Sequence, residues 1–247
     1  MVEDFPEIAA RAVEVHKVYG EGAAAVAALD GVTIDFMRGE FTAVMGPSGS
    51  GKSTLMHCMA ALDSATSGQM FLGDVELSTL KDKELTELRR DKIGFVFQAF
   101  NLVPTLTAQE NIELPLSIAG RKAEPGWFQK VIDTVGLGPR LEHRPNELSG
   151  GQQQRVAAAR ALMSRPDIVF ADEPTGNLDS KTGGEILDLL HESVETYGQS
   201  MVMVTHEARA AATADRILFL ADGRIVKELG SAGEEEILNT IHEVTLA

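Results

Sequence analysis

Four short apolar segments give the chain its strongest secondary-structure signal. They are FTAVM (41–45), IGFVF (93–97), DIVFA (167–171) and MVMVT (201–205). Uninterrupted apolar runs of this length are typical of parallel strands that are covered on both faces. Helical patterns such as STLMHCMAAL and GGQQQRVAAARALM lie between them. The sequence therefore predicts an α/β fold built on a parallel sheet.

Alternating patterns indicate further layers around this sheet. RAVEVHKVYG and GVTIDFMRGE predict two strands of a separate antiparallel layer, with ALDG as the turn between them. RILFLADGRIVKEL predicts a hairpin with ADG at its tip, and SAGEEEILNTIHEV predicts a short acidic terminal helix. From about 98 to 160 strand signals are absent and helical patterns predominate. We expect one domain over 1–247, divided into a core (about 10–97 and 161–230), a helical subdomain (about 98–160) and a tail (231–247).

Composition and charge limit the classes of protein to which this chain can belong. The 247 residues are 44% hydrophobic and 5% aromatic, which suits one soluble domain with an aliphatic core. A formal net charge of −15 would repel a polyanion, so we expect no nucleic-acid partner. Cys58 is the single cysteine, which suits a reducing compartment. MVEDFPEIAARAVEVH does not resemble a signal peptide, and no apolar run approaches a membrane span, so we expect any membrane role to come through a partner.

Polar groups follow each of the four apolar segments. They are the glycine-rich loop after Met45, Gln98 after Phe97, the pair Asp172 and Glu173 after Ala171, and His206 after Thr205. Because ligands bind outside the carboxyl ends of parallel strands, these groups are expected to converge on one crevice. Taken singly, the glutamine and the histidine are as easily explained as surface and structural residues. Their shared position favours a common site.

The loop after the first strand matches a phosphate-binding pattern. GPSGSGKS fits G-x-x-x-x-G-K-[ST] between a predicted strand and a predicted helix. Glycines let the backbone amides turn towards a phosphate at the positive end of the helix. Lys52 is able to reach the β- and γ-phosphates, and the Ser53 hydroxyl to bind Mg²⁺. The pattern predicts a nucleoside-triphosphate site made by Gly46, Pro47, Ser48, Gly49, Ser50, Gly51, Lys52, Ser53 and Thr54.

The other strand ends supply groups for hydrolysis. Asp172 is suited to hold the metal, directly or through water, and Glu173 to orient or deprotonate an attacking water. Gln98 is suited to contact the metal and that water, and His206 to hydrogen-bond the γ-phosphate. In NELSGGQQQRVAAARALM, Ser149 and the amides near Gly150 and Gly151 form a second potential anion site at a helix start. An ordinary helix cap explains that last pattern equally well.

Three motifs together resemble the ATP-binding cassette family over almost the whole chain. They are GPSGSGKST, LSGGQ at 148–152 and ADEPTGNLDS, in the family's order. The resemblance implies a P-loop NTPase (RecA-like) core with an N-terminal antiparallel β layer and an inserted α-helical subdomain. It also implies ATP hydrolysis with Mg²⁺. The roles it implies are a Walker A loop at Gly46 to Thr54, the Walker B aspartate Asp172, the catalytic Glu173, the Q-loop Gln98, the switch His206, the D-loop Asp179 and the adenine-stacking Tyr19.

The family also implies partners. Two cassettes enclose two ATP molecules, and Ser149, Gly150, Gly151 and Gln152 of one chain complete the site of the other. This chain is therefore expected to pair with a copy of itself or a homologue. A buried strand-end tyrosine is the alternative for Tyr19.

Phrases around the motifs point to one branch of the family. IGFVFQAFNLVPTLTAQENIELPL and HRPNELSGGQQQRVAAARAL resemble the branch that serves macrolide efflux, lipoprotein release, peptide resistance and cell division. That branch implies an integral membrane permease, with a possible extracytoplasmic partner reached through it. It also implies a location at the cytoplasmic face of the inner membrane. Four apolar residues near Gln98 either form the groove for the permease or pack in the core: Phe100, Leu102, Leu106 and Leu114.

Two other functions fit the same cassette. One is a signalling switch that controls an extracytoplasmic enzyme, such as a cell-wall hydrolase, without moving a solute. The other is a cassette ATPase of DNA repair or translation, which the acidic charge and the lack of basic runs argue against.

Overall fold

The computed structural model describes residues 8–246. The expectation that the chain starts without a signal peptide falls partly on residues 1–7, which lie outside the described residues. The strands are β1 (Ile8–Tyr19), β2 (Val26–Met37), β3 (Phe41–Met45), β4 (Ser67–Leu72), β5 (Val75–Glu76), β6 (Ile93–Phe97), β7 (Ile168–Asp172), β8 (Ser200–Val204), β9 (Arg216–Ala221) and β10 (Arg224–Leu229). The helices are α1 (Lys52–Met59), α2 (Asp82–Lys92), α3 (Ala108–Ile118), α4 (Pro125–Val135), α5 (Gly150–Met163), α6 (Ser180–Tyr197), α7 (Ala208–Ala211) and α8 (Glu234–Leu246).

The larger sheet has the strand order β10-β9-β3-β8-β7-β6. The strands β9, β3, β8, β7 and β6 run parallel, and β10 pairs antiparallel with β9. The four apolar segments of the sequence form β3, β8, β7 and β6, so the predicted parallel sheet is confirmed. The predicted hairpin is confirmed too, and its tip residues Asp222 and Gly223 both have positive φ, as a tight hairpin turn requires.

Apolar side chains fill both faces of this sheet. In β7, Val169 and Ala171 join a cluster with α5 and α6, whereas Ile168 and Phe170 join a cluster with α1 and the smaller sheet. Successive strand residues point to opposite faces of the sheet, so in a strand covered on both sides nearly every side chain is buried and apolar. This explains the uninterrupted apolar runs.

The smaller sheet is antiparallel, with the order β2-β1-β4-β5. It confirms the predicted N-terminal layer, but the predicted ALDG turn is wrong because residues 28–31 lie inside β2. The chain reverses instead at residues 20–25, where Gly20 and Gly22 have φ of 77° and 58°. Leu29 is fully buried, which holds the ALDG segment in the strand. The strands β4 and β5 were not predicted, since they are short and exposed on several positions.

The segment expected to be a helical subdomain contains α3, α4 and most of α5. Within residues 98–160 the structure has no strand. Thr107 begins α3 with a capping box, in which its hydroxyl accepts from the Glu110 amide and Glu110 accepts from the Thr107 amide. The helix α8 corresponds to the predicted acidic terminal helix. In the described part of the chain, no helix is both long enough and apolar enough to cross a membrane.

Candidate nucleotide site

The carboxyl ends of four parallel strands lie side by side at one edge of the larger sheet. Phe97 pairs with Asp172, Asp172 pairs with Val204, and Val204 pairs with Val44 near the end of β3. The glycine-rich loop and the polar residues that follow β6, β7 and β8 therefore leave the sheet at the same edge, as the sequence predicts.

The glycine-rich loop is shaped by close backbone contacts. Gly46 and Gly51 have φ of 147° and 102°, a region that other residues rarely adopt. A Cβ atom on Gly46 would lie 2.0 Å from the Leu220 carbonyl oxygen, and one on Gly51 would lie 2.2 Å from the Ala28 carbonyl oxygen. Both positions thus exclude any side chain. The loop leads directly into α1, which has no side-chain cap at Gly51, so its first-turn amides are available to an anion.

Two groups in this loop point to an anionic ligand. The Lys52 ammonium donates to the Gly46 and Pro47 carbonyl oxygens at 2.9 and 2.8 Å. Burial lowers the pKa of Lys52, while the charges of Glu173 and Asp172 oppose that shift. The Ser50 hydroxyl is buried and has no hydrogen-bond partner among the described residues. A half-buried ammonium and an unpartnered hydroxyl in a ring of backbone amides fit a phosphate chain.

Asp172 and Ser53 offer the oxygen donors that Mg²⁺ prefers. Burial raises the pKa of Asp172, and a hydrogen bond with Ser53 acts in the opposite direction. A carboxylate and a hydroxyl are hard oxygen ligands, and Mg²⁺ in phosphate sites takes few protein ligands besides phosphate and water. The residues present therefore fit a magnesium-bound triphosphate.

Glu173 and His206 form a pair at the ends of β7 and β8. The His206 Nδ1 atom lies 2.8 Å from a Glu173 carboxylate oxygen. The Glu173 amide donates to the Val204 carbonyl, which ties the turn to the next strand. Glu173 has a φ of 45°, an uncommon conformation that costs about 1 kcal/mol and is typical of functional sites. The histidine side chain is 63% exposed, whereas the carboxylate is 26% exposed.

Gln98 follows β6 and lies against the segment after Glu173. A Cβ atom on Gly176 would be 2.6 Å from its Nε2 atom, and Asn177 donates to its carbonyl oxygen at 2.8 Å. The fully buried Gln154 of α5 donates to the carbonyls of Phe97 and Pro174, at 3.3 and 2.6 Å. Sequence analysis missed Gln154, although a glutamine on the apolar face of the α5 pattern is the signal that marks it.

Tyr19 ends β1 and is 44% exposed, so the alternative of a buried tyrosine is wrong. Its hydroxyl donates to an Asp63 carboxylate oxygen at 2.7 Å. The Lys17 ammonium lies over its ring, 4.7 Å from the centroid. Asp63 comes from a distant part of the chain and Lys17 from the same strand as Tyr19, and the sequence pattern indicated a role for neither.

The LSGGQ segment (148–152), which we call the signature segment, caps α5 and packs against α6. The Ser149 hydroxyl accepts from the Gln152 amide at 3.3 Å, so the ordinary cap expected as an alternative is present. A Cβ atom on Gly151 would lie 2.3 Å from the Thr182 methyl group, and one on Gly150 would lie 3.5 Å from Leu178. Asp179 caps α6 by accepting from the amides of residues 181 and 182.

The described residues contain no hydrogen bond between this signature segment and the glycine-rich loop. The candidate phosphate-binding groups of the described residues therefore form two sets that are not hydrogen-bonded to each other.

A groove lies beside Gln98, between α2, α3 and α5. It has a volume of about 470 Å³. We call it the arginine-lined groove, because three arginines line it together with apolar side chains: Arg89, Arg90, Arg160, Phe95, Leu114 and Ile118. Of the four apolar residues expected either to form a groove or to pack in the core, Leu114 lines this groove. Leu102 packs against the apolar cluster of α5 instead.

The sheet order, the glycine loop around Lys52 and the strand-end Asp172 define a P-loop nucleoside triphosphatase. The family model described as ABC transporter matches residues 29–176. An uncharacterized ABC transporter ATP-binding protein of Thermotoga maritima is 49% identical over 215 residues, which cover 86% of this chain and 92% of that protein. The dimeric cassette MJ0796 of Methanocaldococcus jannaschii, solved with ADP and Pi, has a TM-score of 0.81 at 44% identity and covers 91% of this chain and 99% of that chain.

A longer relative joins the same cassette to a permease. The macrolide export ATP-binding/permease protein MacB of Brucella melitensis is 46% identical over 220 residues, which are 88% of this chain but 34% of that protein. This chain thus spans about a third of that relative. It belongs to the ABC transporter family, as the ATP-binding component, and it is an ATPase.

Proposed function

We propose that this chain is the ATP-hydrolysing subunit of a permease of the macrolide-export or lipoprotein-release type, and that two copies close on ATP. The observation that carries the proposal is the convergence of Lys52, Asp172 and the Glu173–His206 pair at one edge of the sheet. The similarity to a dimeric cassette and to a fused cassette and permease supports it.

In the proposed site the glycine-rich loop and Lys52 bind the β- and γ-phosphates of ATP. Ser53, Asp172 and Gln98 would hold Mg²⁺, which supplies positive charge that stabilises the charge on the phosphates. The Ser50 hydroxyl, which has no partner among the described residues, and the first-turn amides of α1 would add hydrogen bonds to the same oxygens. Tyr19 stacks on the adenine, since its ring is exposed beside the helix that carries the phosphate loop.

Glu173 is the proposed base. Its carboxylate accepts a proton as water attacks the γ-phosphorus, the bond to the bridging oxygen breaks, and ADP and phosphate result. His206 holds the carboxylate through its Nδ1 atom, which leaves the other ring nitrogen on the exposed side for a γ-phosphate oxygen. Burial lowers the pKa of Lys52 and the charge of Glu173 opposes that shift, which supports a position of this carboxylate near the phosphate loop.

The proposed dimer would bring together the two sets of candidate phosphate-binding groups. Ser149, Gly150, Gly151 and Gln152 start a helix whose positive end is suited to a phosphate, yet they make no hydrogen bond with the phosphate loop in the described part of the chain. A second copy, related by a twofold axis, brings this helix start over the ATP bound to the first. Asp179 lies next to that segment and would face the partner.

Glu173→Gln tests the base and the dimer together. The variant keeps the hydrogen-bond geometry with His206 but loses the proton acceptor, so steady-state ATP turnover should fall on the order of 10²–10⁴-fold. It should also accumulate as a dimer with ATP, measured by light scattering after size exclusion. Glu195→Gln is the matched control, because that carboxylate is 70% exposed and, within residues 8–246, pairs with His191 on the same helix. Full hydrolysis by Glu173→Gln, or a variant that stays monomeric with ATP, would overturn the proposal.

The arginine-lined groove is the proposed contact with the permease. Of its three arginines, Arg90 pairs with Asp91 at 2.8 Å, whereas the hydrogen bonds of Arg89 and Arg160 within the described part of the chain go to carbonyl and hydroxyl oxygens, although the chain has a net charge of −15. A cytoplasmic helix of the permease with apolar and acidic side chains would complement the groove in shape and charge. The chain would then work at the cytoplasmic face of the inner membrane, held there by the permease.

Ile118→Asp tests this contact. Ile118 is 71% exposed, so the charge should leave the fold intact while removing the apolar contact at the groove. A tagged chain should co-purify from detergent-solubilised membranes with one integral membrane protein, identified by mass spectrometry, and Ile118→Asp should lose it. Val226→Asp, a 50% exposed control on β10, should retain it. Equal recovery with both variants would contradict the proposed contact, and the identity of the captured protein decides between transport and signalling.

A further inference from the structure

The environment of Tyr19 contains a feature that the proposed hydrolysis does not use. Lys17 is a lysine with only 8% exposure, which is rare for this residue type unless the ammonium is paired. Its Nζ atom donates to an Asp63 carboxylate oxygen at 2.6 Å and to the Ser64 carbonyl at 2.7 Å. The same carboxylate accepts from the Tyr19 hydroxyl through its other oxygen. One aspartate thus holds both the lysine and the tyrosine.

We propose that Lys17 and Asp63 are positioning residues that fix the Tyr19 ring for stacking on the nucleotide base. The inference rests on the proposed ATP site and deepens it. The ammonium covers one face of the ring at 4.7 Å from the centroid, and the ring keeps 44% exposure for a ligand on its remaining side. An aromatic ring held in one orientation loses less conformational entropy on binding than a free ring.

The ring is also tied to the phosphate end of the site. The helix α1 starts at Lys52 in the phosphate loop and spans about 12 Å. Past its end, the Asp63 amide donates to the His57 carbonyl at 3.2 Å, so Asp63 is anchored on the last turn of the helix. Asp63 therefore sets the distance between the base and phosphate contacts through one rigid element.

The loop after α1 is fastened to β1 on both sides of the ring. The Thr66 amide donates to the His16 carbonyl at 2.8 Å, and the Thr66 hydroxyl accepts from the Val18 amide at 2.9 Å. The hydrogen bond with Asp63 raises the pKa of Lys17, which keeps the ammonium charged over the ring. These contacts make Lys17, Asp63 and Tyr19 one connected unit at the end of β1.

The experiment measures KM and kcat for ATP, together with the inhibition constant of inorganic tripolyphosphate, which lacks a base. Tyr19→Ala removes the ring and so measures its whole contribution to binding, and we expect KM to rise about 5- to 100-fold. Lys17→Met and Asp63→Ala should each raise KM about 3- to 10-fold, since losing the fixed orientation weakens stacking without removing the ring. In both variants kcat and the inhibition constant of tripolyphosphate should stay within about twofold, because the phosphate loop is untouched.

Matched variants separate positioning from a general effect on the fold. Arg11→Met removes another β1 ion pair, with Asp35, and should leave KM unchanged. Tyr19→Phe removes only an exposed hydroxyl and should raise KM about 2- to 5-fold, which tests the tether without a buried substitution. In a Tyr19→Ala background, Asp63→Ala should have no further effect on KM.

Each outcome bears on one claim. If Tyr19→Ala raises KM while Lys17→Met, Asp63→Ala and Tyr19→Phe do not, the positioning role is overturned and the base contact stands. An Asp63→Ala effect of the same size in both backgrounds also overturns it, because Asp63 would then act through the fold. If Tyr19→Ala leaves KM unchanged, the base contact proposed above fails, and the positioning role fails with it.

Discussion

The second glycine of the signature segment is packed so tightly that we expect alanine there to destabilise the chain even without nucleotide. A Cβ atom on Gly151 would lie 2.3 Å from the Thr182 methyl carbon of α6. Carbon atoms in ordinary contact are about 3.5–4.0 Å apart, so the overlap exceeds 1 Å. Gly150 is the natural comparison, because a Cβ atom there meets Leu178 at an ordinary 3.5 Å.

The expected cost follows from the two ways to relieve the overlap. Thr182 can rotate its methyl group away, but its hydroxyl then loses the 2.6 Å hydrogen bond to Asp179, worth about 1 kcal/mol. Otherwise α5 and α6 must separate, and overpacking of this kind costs about 1–3 kcal/mol. The higher helix propensity of alanine returns at most about 1 kcal/mol. The net loss is up to about 2 kcal/mol, which corresponds to a Tm up to about 8 °C lower in a chain of this size.

Thermal unfolding of the nucleotide-free chain measures this effect. Gly151→Ala should lower Tm, and Gly150→Ala should leave it unchanged or raise it. Adding Thr182→Ser to Gly151→Ala should restore Tm, because serine keeps the hydroxyl that binds Asp179 and lacks the methyl group. A Gly151→Ala chain as stable as wild type, or one whose Tm Thr182→Ser does not restore, would refute the packing explanation. Gly151 would then have a role only in ATP binding.

Three further predictions concern reactivity, packing and pH. Burial raises the pKa of Cys58 to about 11, so thiol reagents at neutral pH should label the chain only in denaturant; rapid labelling of the folded chain would contradict this. Asn111→Ala removes a fully buried amide that accepts from the Val103 amide and donates to three carbonyls, so the free energy of unfolding in a denaturant titration should fall by about 2–4 kcal/mol. A loss below about 0.5 kcal/mol would show that the loop relaxes around the change. A hydrogen bond from Arg216 lowers the pKa of Glu228 in the folded chain. The ion pair therefore stabilises the fold above the ordinary carboxyl pKa, and this stabilisation is lost as the pH falls through the lowered pKa. Glu228→Gln should therefore be less stable by up to about 1 kcal/mol at neutral pH, with a difference that disappears in acid; a difference independent of pH would argue against this ion pair.

The features predicted best from the sequence are those written in consecutive residues. The apolar runs of β3, β6, β7 and β8 have a single structural explanation, because only a strand covered on both faces lacks polar positions. The phosphate loop is equally local. Its glycines, Lys52 and the start of α1 lie within ten residues, and the backbone conformation at Gly46 and Gly51 leaves no other residue possible.

Features that depend on distant residues escaped prediction. The ALDG segment has turn-forming residues, but Leu29 is buried in β2, and tertiary packing overrides that local preference. Asp63, which accepts from the Tyr19 hydroxyl, lies in the loop after α1, more than forty residues away, so no local pattern indicates this contact. Gln154 carries a local signal, a polar residue on an apolar helix face, yet its acceptors at Phe97 and Pro174 appear only in three dimensions.

The arginine-lined groove and the proposed hydrolytic site share one segment of backbone. Arg160 lines the groove and donates to the carbonyls of Phe100 and Asn101, at 3.0 and 2.6 Å. Both of these residues have positive φ, so this stretch after Gln98 sits in a conformation that the rest of the fold must hold in place. Burial lowers the pKa of Arg160, and carbonyl oxygens are the acceptors of its two hydrogen bonds to the chain. A carboxylate that docks in the groove would compete with those carbonyls for the guanidinium. Because two hydrogen bonds connect Arg160 to the segment that carries Gln98, such a contact would change the restraint on Gln98 without touching it, which is a physical path from a membrane partner to the ATP site.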